Sequence, residues 1–539
     1  MSEGDKDKRF YRDTETIASP TLDDWQVALL EPLGHRRMVR RGELVFKAGQ
    51  RDLGLAVVLS GEVEVFEAHD GIEHILGTSG PHGFVGDVAM LNGTSAVASV
   101  RGKAEESEIL EIPAAELRRA LVELPGVSGP IVNAFIVRRQ RQLRDREFVG
   151  LRVVATEGSR DGHLIHDFLD KNHIPHRLIQ FESEDGRGLC ERLKLASSDL
   201  PALITTTGVP MCKPSLQEVA QVAGLLRPLA DEGESEILCD LAIVGAGPAG
   251  LSAAVNAASE GLQTVVLESF APGGQAGSSS LIENFFGFPT GISGGELTSR
   301  AQLQAFRFGA KFSTPAQALS LAFSKGDHAA VLQIEGCNAK LRAKCVIIAT
   351  GADYNRIDAD GCASFEGRGV YYAATAIERQ LCRKSTVIVA GGGNSAGQAA
   401  MFLSESTEKV LLVIRGADLS KSMSSYLSLR VEAKKNIEIL CHTEIRKMTG
   451  DKHLETVELE NIETHERRTV QTPAIFSMIG AKPHTDWLPP EIERDEKGFV
   501  KTGAAVADAR RGKARSADQD RWRRAAPAFS PWATSARVR

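Results

Sequence analysis

The chain has 539 residues, of which 42% are hydrophobic and 25% charged, and its formal net charge is -6. This length favours about three domains, and the nearly balanced charge gives no general preference for nucleic acid or for membrane surfaces. Because no apolar run is long enough to cross a bilayer and the polar N-terminus lacks the apolar stretch of a secretory signal, we expect a cytoplasmic protein with neither a membrane nor a nucleic-acid partner.

Short strand-like runs separated by glycine occupy the first part of the chain. The runs 55–59 (LAVVL) and 62–66 (EVEVF) flank Ser60-Gly61 and predict a small antiparallel barrel, which the basic, periodic stretch 134–143 closes as a helix. The segments RGELVF, VLSGEVEV and FVGDVAMLNGTS, which begin at 41, 58 and 84, resemble the cyclic-nucleotide-binding domain family. The resemblance assigns residues 20–145 to such a domain.

The third of these segments corresponds to the family's phosphate-binding cassette, a short helix whose N-terminal amides face the cyclic phosphate. Gly86 is kept, Asp87 stands where the family has glutamate, and the family's arginine position falls on Ala96. The last change removes the full positive charge that the family directs at the anion. Of the two interpretations, a cyclic-nucleotide sensor or a barrel kept for packing or for regulation by another ligand, we favour the second.

Residues 150–230 show a β-α-β-α-β order that resembles thioredoxin-like or glutaredoxin-like folds, with predicted strands at 151–155, 176–180 and 202–206 and helices at 162–170 and 188–193. Leu200-Pro201 lies where that fold has its cis-proline. The place of the redox dithiol reads EGSRDG (157–162) and contains no cysteine. We therefore expect a docking or spacer domain.

After an acidic linker near 227–236, a strand at 239–244 leads directly into GAGPAG, followed by a helix at 251–259 and a strand at 264–267 that ends at Glu268. This complete arrangement of strand, turn, helix, strand and acidic residue strongly indicates a dinucleotide-binding site. Gly245 allows the tight turn, Gly247 lets the backbone approach the pyrophosphate, and Gly250 permits close packing of helix on strand, while Glu268 accepts hydrogen bonds from the ribose.

The text that follows resembles the thioredoxin reductases: PGGQAG at 272–277, IENFFGFP at 282–289, and CVIIATG at 345–351. The resemblance covers about residues 236–508 and implies bound FAD. It places Gly274, Gln275 and Asn284 near the flavin, and it makes the turn at Thr350 and Gly351 the end of the first part of an FAD-binding domain, residues 236–352.

A second fingerprint, Gly391-Gly-Gly393-Asn394-Ser395-Ala396, follows the strand 387–390, and the next strand, 409–414, ends at Arg415. No acid stands at that strand end, and an arginine there suits the 2′-phosphate of NADPH. By the resemblance, residues 353–478 form an NAD(P)H-binding domain inserted into the FAD domain, which resumes at 479–508. We also expect a homodimer.

The predicted fold class is thus multidomain: a β-barrel with helices, a thioredoxin-like α/β domain and two Rossmann-type α/β domains. The resemblance implies an NADPH-dependent flavin oxidoreductase that delivers electrons to a small-molecule or small-protein acceptor.

However, the family's C-x-x-C positions are Ala373 and Ala376, and none of the eight cysteines forms a C-x-x-C pair; Cys382 alone is no substitute. A ferredoxin-NADP-reductase-like enzyme, or a flavin-dependent sensor regulated by the N-terminal domain, remains an alternative. We name no catalytic acid or base.

The final segment also departs from the family. After Asp508 the text becomes a basic tail, 509–539, where the family has a G-V-F-A-x-G-D segment and a last helix. If the codons of 527–539 are read from each third base, Trp532 and Ala533 force glycine and their neighbours permit G-V-F-A-V-G-D-V-R-A-G. We therefore hypothesise a frameshift that truncates the second FAD segment; the alternative is a disordered basic tail that binds an acidic partner.

Overall fold

The computed structural model describes residues 3–503, apart from positions 52, 70–71, 145–149, 206, 227–228, 230–233, 280, 373, 375–378 and 380–381. Its contacts divide the chain into two compact units. Unit 1 comprises Met1–Ala246, Gly250–Pro272 and Ser299–Ile348; unit 2 comprises Gly247–Ala249, Gly273–Thr298 and Ala349–Arg539.

Unit 1 begins with a helix-flanked pair of four-stranded antiparallel sheets, in the orders β1-β8-β3-β6 and β2-β7-β4-β5. The elements, in chain order, are α1 (Glu3–Ala18), α2 (Asp24–Leu30), a 3-10 helix (Glu31–Leu33), β1 (His35–Arg40), β2 (Leu44–Phe46), β3 (Leu55–Ser60), β4 (Val63–His69), β5 (Ile72–Ser79), β6 (Phe84–Val85), α3 (Ala89–Asn92), β7 (Ser99–Gly102), β8 (Glu106–Ile112), α4 (Ala114–Glu123) and α5 (Pro125–Arg144).

The strands contribute buried apolar side chains to the barrel core, including four successive residues of β3, Leu55–Val58. Helix α5 closes the core: the rings of Phe84 and Phe135 meet edge to face with centroids 6.3 Å apart. The predicted helix at 134–143 is therefore the second half of a longer helix. Among the described residues no single helix has the length and apolar content of a membrane span; α4 and α5, bent by 120°, meet that test only as a pair.

The next part of unit 1 is a four-stranded sheet of order β10-β9-β11-β12, in which β9 and β10 are parallel and the other pairs antiparallel. Its elements are β9 (Leu151–Ala155), α6 (Arg160–Lys171), β10 (His176–Gln180), α7 (Glu184–Leu193), a 3-10 helix (Ser197–Asp199), β11 (Ala202–Ile204), β12 (Pro210–Cys212) and α8 (Leu216–Ala223).

Serine caps fix the starts of the three helices in this part. The hydroxyls of Ser159, Ser183 and Ser215 each accept a hydrogen bond from a backbone N–H in the first turn. The cap at Ser183 explains why α7 begins at Glu184, ahead of the predicted 188–193. The Leu200-Pro201 peptide is cis, as the sequence predicts.

The last part of unit 1 is a six-stranded sheet of order β15-β14-β13-β18-β17-β16, parallel from β15 to β18 and antiparallel beyond. In chain order this stretch contains β13 (Glu236–Val244), α9 (Pro248–Ser259), β14 (Thr264–Leu267), α10 (Gly274–Gly277), α11 (Gly294–Arg307), β15 (Lys311–Ser313), β16 (Ala318–Phe323), β17 (Ala330–Ile334) and β18 (Lys340–Ile348); of these, α10 lies in unit 2.

Specific contacts join the three parts of unit 1. Phe168 of α6 packs edge to face on Phe270, with centroids 5.4 Å apart. Arg307 of α11 donates from Nε to the Leu121 carbonyl at 2.9 Å. The Ser95 hydroxyl donates to the Val222 carbonyl at 3.3 Å, which brings the barrel against the end of α8.

Unit 2 contains a parallel sheet of order β20-β27-β21-β22-β23, an antiparallel sheet β24-β25-β26 and a two-stranded ladder β19-β28. Its further elements are β19 (Ala352–Tyr354), a 3-10 helix (Cys362–Phe365), β20 (Val370–Tyr371), β21 (Thr386–Ala390), α12 (Asn394–Ser404), β22 (Lys409–Val413), α13 (Ser425–Ala433), β23 (Ile437–Leu440), β24 (Thr443–Thr449), β25 (Thr456–Asn461), β26 (Arg467–Gln471), β27 (Ile475–Ser477) and β28 (Ala481–Pro483).

The parallel sheet of unit 2 is buried on both faces. Along β21, Val387 and Val389 join the core that includes α12, whereas Ile388 and Ala390 join the core that includes β24 and β25. A strand covered on both faces is uniformly apolar, which explains the short continuous hydrophobic run in the sequence.

Candidate nucleotide-binding sites

The first fingerprint forms the turn between β13 and α9. Gly245 has a φ of 101°, a conformation that favours glycine. A Cβ on Gly250 would lie 1.9 Å from the Gly245 carbonyl oxygen, so no side chain fits there; a Cβ on Gly247 would meet nothing within 4 Å. Gly250 is thus required by packing, whereas Gly247 leaves the backbone open to a ligand.

Glu268 stands immediately after β14, beside this turn. Its Oε2 accepts from the Ala246 N–H at 2.8 Å and its Oε1 from the Phe270 N–H at 2.9 Å. The residue is 8% exposed, and burial raises the pKa of its carboxyl group, against the opposing effect of the backbone hydrogen bonds. The carboxylate is therefore fixed at the fingerprint turn, where the sequence places a ribose acceptor.

The loops predicted to contact the flavin belong by their contacts to unit 2, whereas most of residues 236–352 belong to unit 1. Gly274 has a φ of 52°, and a Cβ there would lie 3.2 Å from the Gly247 Cα. Gln275 donates from Nε2 to the Ala352 carbonyl. Asn284 is exposed. These contacts explain why residues 273–298 group with unit 2.

The A-T-G turn is also in unit 2. The Thr350 hydroxyl donates to the His484 carbonyl at 2.7 Å. Gly351 has a φ of 67°, and its carbonyl accepts from the His484 N–H at 3.1 Å. The turn that ends the predicted first FAD segment is therefore tied to the start of the second, 479–508.

The second fingerprint joins β21 to α12. Gly391 has a φ of 133°, and a Cβ there would lie 2.3 Å from the Met478 carbonyl oxygen. Gly393 is the N-cap of α12, with the nearest atom to a Cβ at 3.8 Å, and Ala396 is fully buried at the packing position. This is the strand–turn–helix geometry in which helix N-terminal amides face a phosphate.

Polar residues surround the start of α12. The Asn394 Oδ1 accepts from the Ser424 N–H at 2.7 Å, and the Tyr354 hydroxyl donates to the Ser395 Oγ at 3.5 Å. Arg415 follows β22 and is exposed. Because β21 and β22 are parallel neighbours, Arg415 lies at the same sheet edge as the fingerprint.

The phosphate-binding cassette of the barrel differs from the family pattern at Ala96, as the sequence indicates. It also differs in the partners of Asp87. Ala96 is 6% exposed and carries no charge to the family's arginine position. Asp87 uses both oxygens within the protein: Oδ1 accepts from the Ala89 N–H at 2.8 Å, and Oδ2 pairs with Arg139 at 2.9 Å. Sequence analysis missed Arg138 and Arg139 of α5, because a basic helix most simply indicates a solvated face.

Two predictions fall where the structure gives no description. Ala373 and Ala376, the positions of the family's dithiol, and the tail 509–539 lie outside the described residues. All eight cysteines are free thiols. Burial raises the pKa of Cys239 to about 12 and also raises that of Cys345, so neither thiol is activated as a nucleophile.

Comparisons with known proteins identify two families in the chain. Residues 239–510 match the family model for pyridine nucleotide-disulphide oxidoreductases, and residues 36–123 match that for cyclic nucleotide-binding domains. The thioredoxin reductase of Treponema pallidum is 34% identical over 263 residues, covering 49% of this chain and 83% of the relative. A 34.2 kDa protein in the rubredoxin operon of Clostridium pasteurianum is 30% identical over 263 residues, with the same coverage of 49% and 83%. Among solved structures, thioredoxin reductase from Lactococcus lactis in its FR conformation gives a TM-score of 0.46 at 26% identity, covering 49% of this chain and 85% of that chain.

Proposed function

Since the chain belongs to the pyridine nucleotide-disulphide oxidoreductase family and carries a cyclic-nucleotide-binding-type domain at its N-terminus, we propose that it is an FAD-dependent oxidoreductase that takes reducing equivalents from NADPH. The observation that carries the proposal is the pair of fingerprints, each on a strand–turn–helix. A flavin supplies the means to accept a hydride and pass its electrons on. The chain's own residues bind and orient the two cofactors.

The residues fit the two nucleotides. Around the first fingerprint, the small residues at Gly245, Gly247 and Gly250 leave backbone amides free to approach a pyrophosphate, and Glu268 offers a fixed carboxylate. Gly274, Gln275, Asn284, Thr350 and Gly351 are the further FAD contacts that we propose.

NADPH is the preferred donor in this proposal. The second fingerprint, Gly391 to Ala396, would hold its pyrophosphate at the start of α12. Arg415 is an exposed guanidinium at the matching strand end, and its forked donors suit a phosphate. No carboxylate that would repel the 2′-phosphate follows β22 directly.

We further infer that electrons do not leave through an internal dithiol. The chain has no C-x-x-C pair, Cys382 is 1% exposed, and the other free cysteines are separate in sequence. The acceptor is therefore a small molecule or a small protein that is reduced directly, rather than thioredoxin. The same lack of a dithiol favours a ferredoxin-NADP-reductase-like activity as the second candidate.

We also propose the domain arrangement that surrounds this enzyme: a barrel at 20–145, a thioredoxin-like domain at 150–230, an FAD domain at 236–352 and 479–508, and an inserted NADPH domain at 353–478. The parallel β9–β10 pair with antiparallel β11 and β12 supports the second of these. A sensor regulated by the barrel is a further candidate, supported by the contact of Ser95 with Val222.

The deciding experiment compares acceptors. The FAD-loaded protein should oxidise NADPH with ferricyanide but should not reduce thioredoxin, since no dithiol connects the two. The double substitution A373C/A376C should gain thioredoxin reduction and keep the ferricyanide rate, whereas Cys382→Ala should alter neither. Rapid reduction of thioredoxin by the unaltered chain would contradict the proposed electron exit, and failure to oxidise NADPH with any acceptor would contradict the proposed activity.

A further inference from the structure

The barrel encloses a cavity of about 440 Å³, a volume within the range of small-molecule sites. Most of its wall is apolar and includes Phe46, Leu53, Val65, Phe84 and Met90. Helices α1 and α5 and the segment 76–83 also line it. A cavity of this kind suits a ligand with a substantial hydrocarbon body.

One cation in the wall, Arg138, is held by backbone carbonyls, and the nearby Asp87 carboxylate favours its charged form only through space. Arg138 donates from Nε to the Ala18 carbonyl at 2.7 Å, from Nη1 to that of Gly86 at 2.8 Å, and from Nη2 to that of Phe84 at 3.0 Å. It forms no ion pair within the part of the chain that the structure describes. Its neighbours in α5 do: Arg139 pairs with Asp87 at 2.9 Å and Arg141 with Glu15 at 2.9 Å.

Three hydrogen bonds leave two of the five guanidinium N–H groups, one on each terminal nitrogen. Arg138 lines the cavity and is only half-buried, so part of its surface faces the cavity. Burial lowers the pKa of Arg138 to about 10, so the group stays charged at neutral pH. Because the Asp87 carboxylate is already paired with Arg139, a bound anion would further stabilise the charge on Arg138.

The cavity is not arranged for a cyclic nucleotide. Ala96 leaves the family's phosphate position uncharged, and both oxygens of Asp87 already accept hydrogen bonds from Ala89 and Arg139. A ribose hydroxyl would have to share these oxygens with the Ala89 N–H and the Arg139 guanidinium. The two remaining N–H groups of Arg138 can instead donate charge-assisted hydrogen bonds to the oxygens of a carboxylate.

We propose that this cavity binds a carboxylic acid with an apolar body, the carboxylate on Arg138 and the hydrocarbon among the barrel's apolar side chains. The proposal concerns a site separate from the nucleotide sites and does not depend on the enzyme activity.

Calorimetry on the full chain tests the proposal with decanoate, 1-decanol and cyclic AMP. Decanoate should bind at one site per chain and at least tenfold more tightly than decanol, because charge-assisted hydrogen bonds are lost with the alcohol. Cyclic AMP should bind more weakly than decanoate. Equal affinities for decanoate and decanol, no saturable binding of decanoate, or tighter binding of cyclic AMP would each overturn the proposal.

Variants locate the site. Arg138→Gln should abolish the preference for decanoate over decanol, while Arg144→Gln, on the same helix but outside the cavity, should leave it unchanged. Since Arg138 also holds three carbonyls, Ala98→Phe provides a second test: it fills the cavity and should abolish binding of both probes. Unchanged decanoate binding in Ala98→Phe would place the ligand elsewhere and refute the assignment.

Discussion

At the residue scale, the proposed preference for NADPH over NADH rests on Arg415, the exposed guanidinium that follows β22. Arg415→Ala should weaken NADPH binding about tenfold or more and leave NADH binding nearly unchanged, because only NADPH offers a phosphate to a contact of about 1.5–3 kcal/mol. Fluorescence titration of both cofactors measures the ratio.

Arg383→Ala is the matched control for this substitution. Arg383 is exposed and precedes β21, so it lies at the opposite edge of the parallel sheet from Arg415. Arg383→Ala should therefore not change the preference for NADPH over NADH. An equal loss of both cofactors in Arg415→Ala would contradict the phosphate assignment.

Two glycines of the first fingerprint should affect different properties, Gly250 the stability of the apoprotein and Gly247 the retention of FAD. Gly250→Ala should destabilise the apoprotein by about 1–3 kcal/mol, because its Cβ would lie 1.9 Å from a backbone oxygen. Gly247→Ala should leave apoprotein stability unchanged, since its Cβ meets nothing within 4 Å, yet it should lower FAD retention.

Thermal unfolding of apoprotein and flavin absorbance per protein distinguish these two effects. If Gly247→Ala retained FAD as well as the unaltered chain, the backbone at 247 would not be the pyrophosphate contact.

Sequence analysis found the residues of contiguous motifs and missed those whose partners lie far away in the sequence. The fingerprints are contiguous, so Gly245 and Gly391 could be identified from spacing alone. The pairing of Asp87 with Arg139 joins positions 52 residues apart, and only the folded barrel brings them together. The same holds for Arg138, whose three carbonyl partners come from α1 and the segment before α3.

At the scale of elements, a half-buried histidine pair links α6 to β10. The His166 Nδ1 lies 2.7 Å from the His176 Nε2, and the His176 Nδ1 lies 2.8 Å from the Ile174 carbonyl oxygen. Since a carbonyl only accepts, the His176 Nδ1 carries the proton in the neutral pair and His166 donates to its Nε2. Burial lowers the pKa of His176.

This pair predicts acid sensitivity of the segment. A histidine whose folded pKa is lowered binds fewer protons than the unfolded chain, so its contribution is present above an unfolded pKa of about 6.5 and is lost as pH falls below it. The protection factors of the β9 and β10 amides, which are exchange rates corrected for the intrinsic slowing at lower pH, should therefore decrease as pH falls from 7.5 to 5.5.

His176→Phe should reduce that pH dependence, and His163→Asn, which alters an exposed histidine of the same helix as His166, should not. Identical pH dependence in His176→Phe and the unaltered chain would remove the pair as its source.

Strand and helix positions were predictable where one local pattern sufficed. The strand 176–180 agrees with β10 and the strand 264–267 with β14. The second is an apolar run between Gln263 and Glu268. The starts of helices were harder to predict. Helix α5 begins at Pro125, well before its periodic stretch at 134–143, and the glycines and prolines of its first turns conceal this start in the sequence.

At the scale of the whole molecule, the tail carries the remaining prediction. If the frame changes near codon 509, a version that continues in the alternative frame should retain more flavin per protein and oxidise NADPH faster than the chain as it stands. Absorbance at the flavin band and NADPH oxidation, measured on both versions side by side, give the comparison. Equal flavin content and equal rates would show that the frame of the tail does not matter to function.

The contact between the barrel and α8 has a consequence for sequence variation among related chains. Gly224 ends α8 with a φ of 75°, a position at which asparagine is ordinarily tolerated. Here a Cβ would lie 2.4 Å from the Ser95 nitrogen, so the docked barrel leaves room only for glycine. In homologues that keep both parts, position 224 should be invariant, whereas lineages that have lost the barrel should drift to asparagine. The residue at position 224 would then indicate, on an evolutionary tree, which lineages keep the barrel docked against α8.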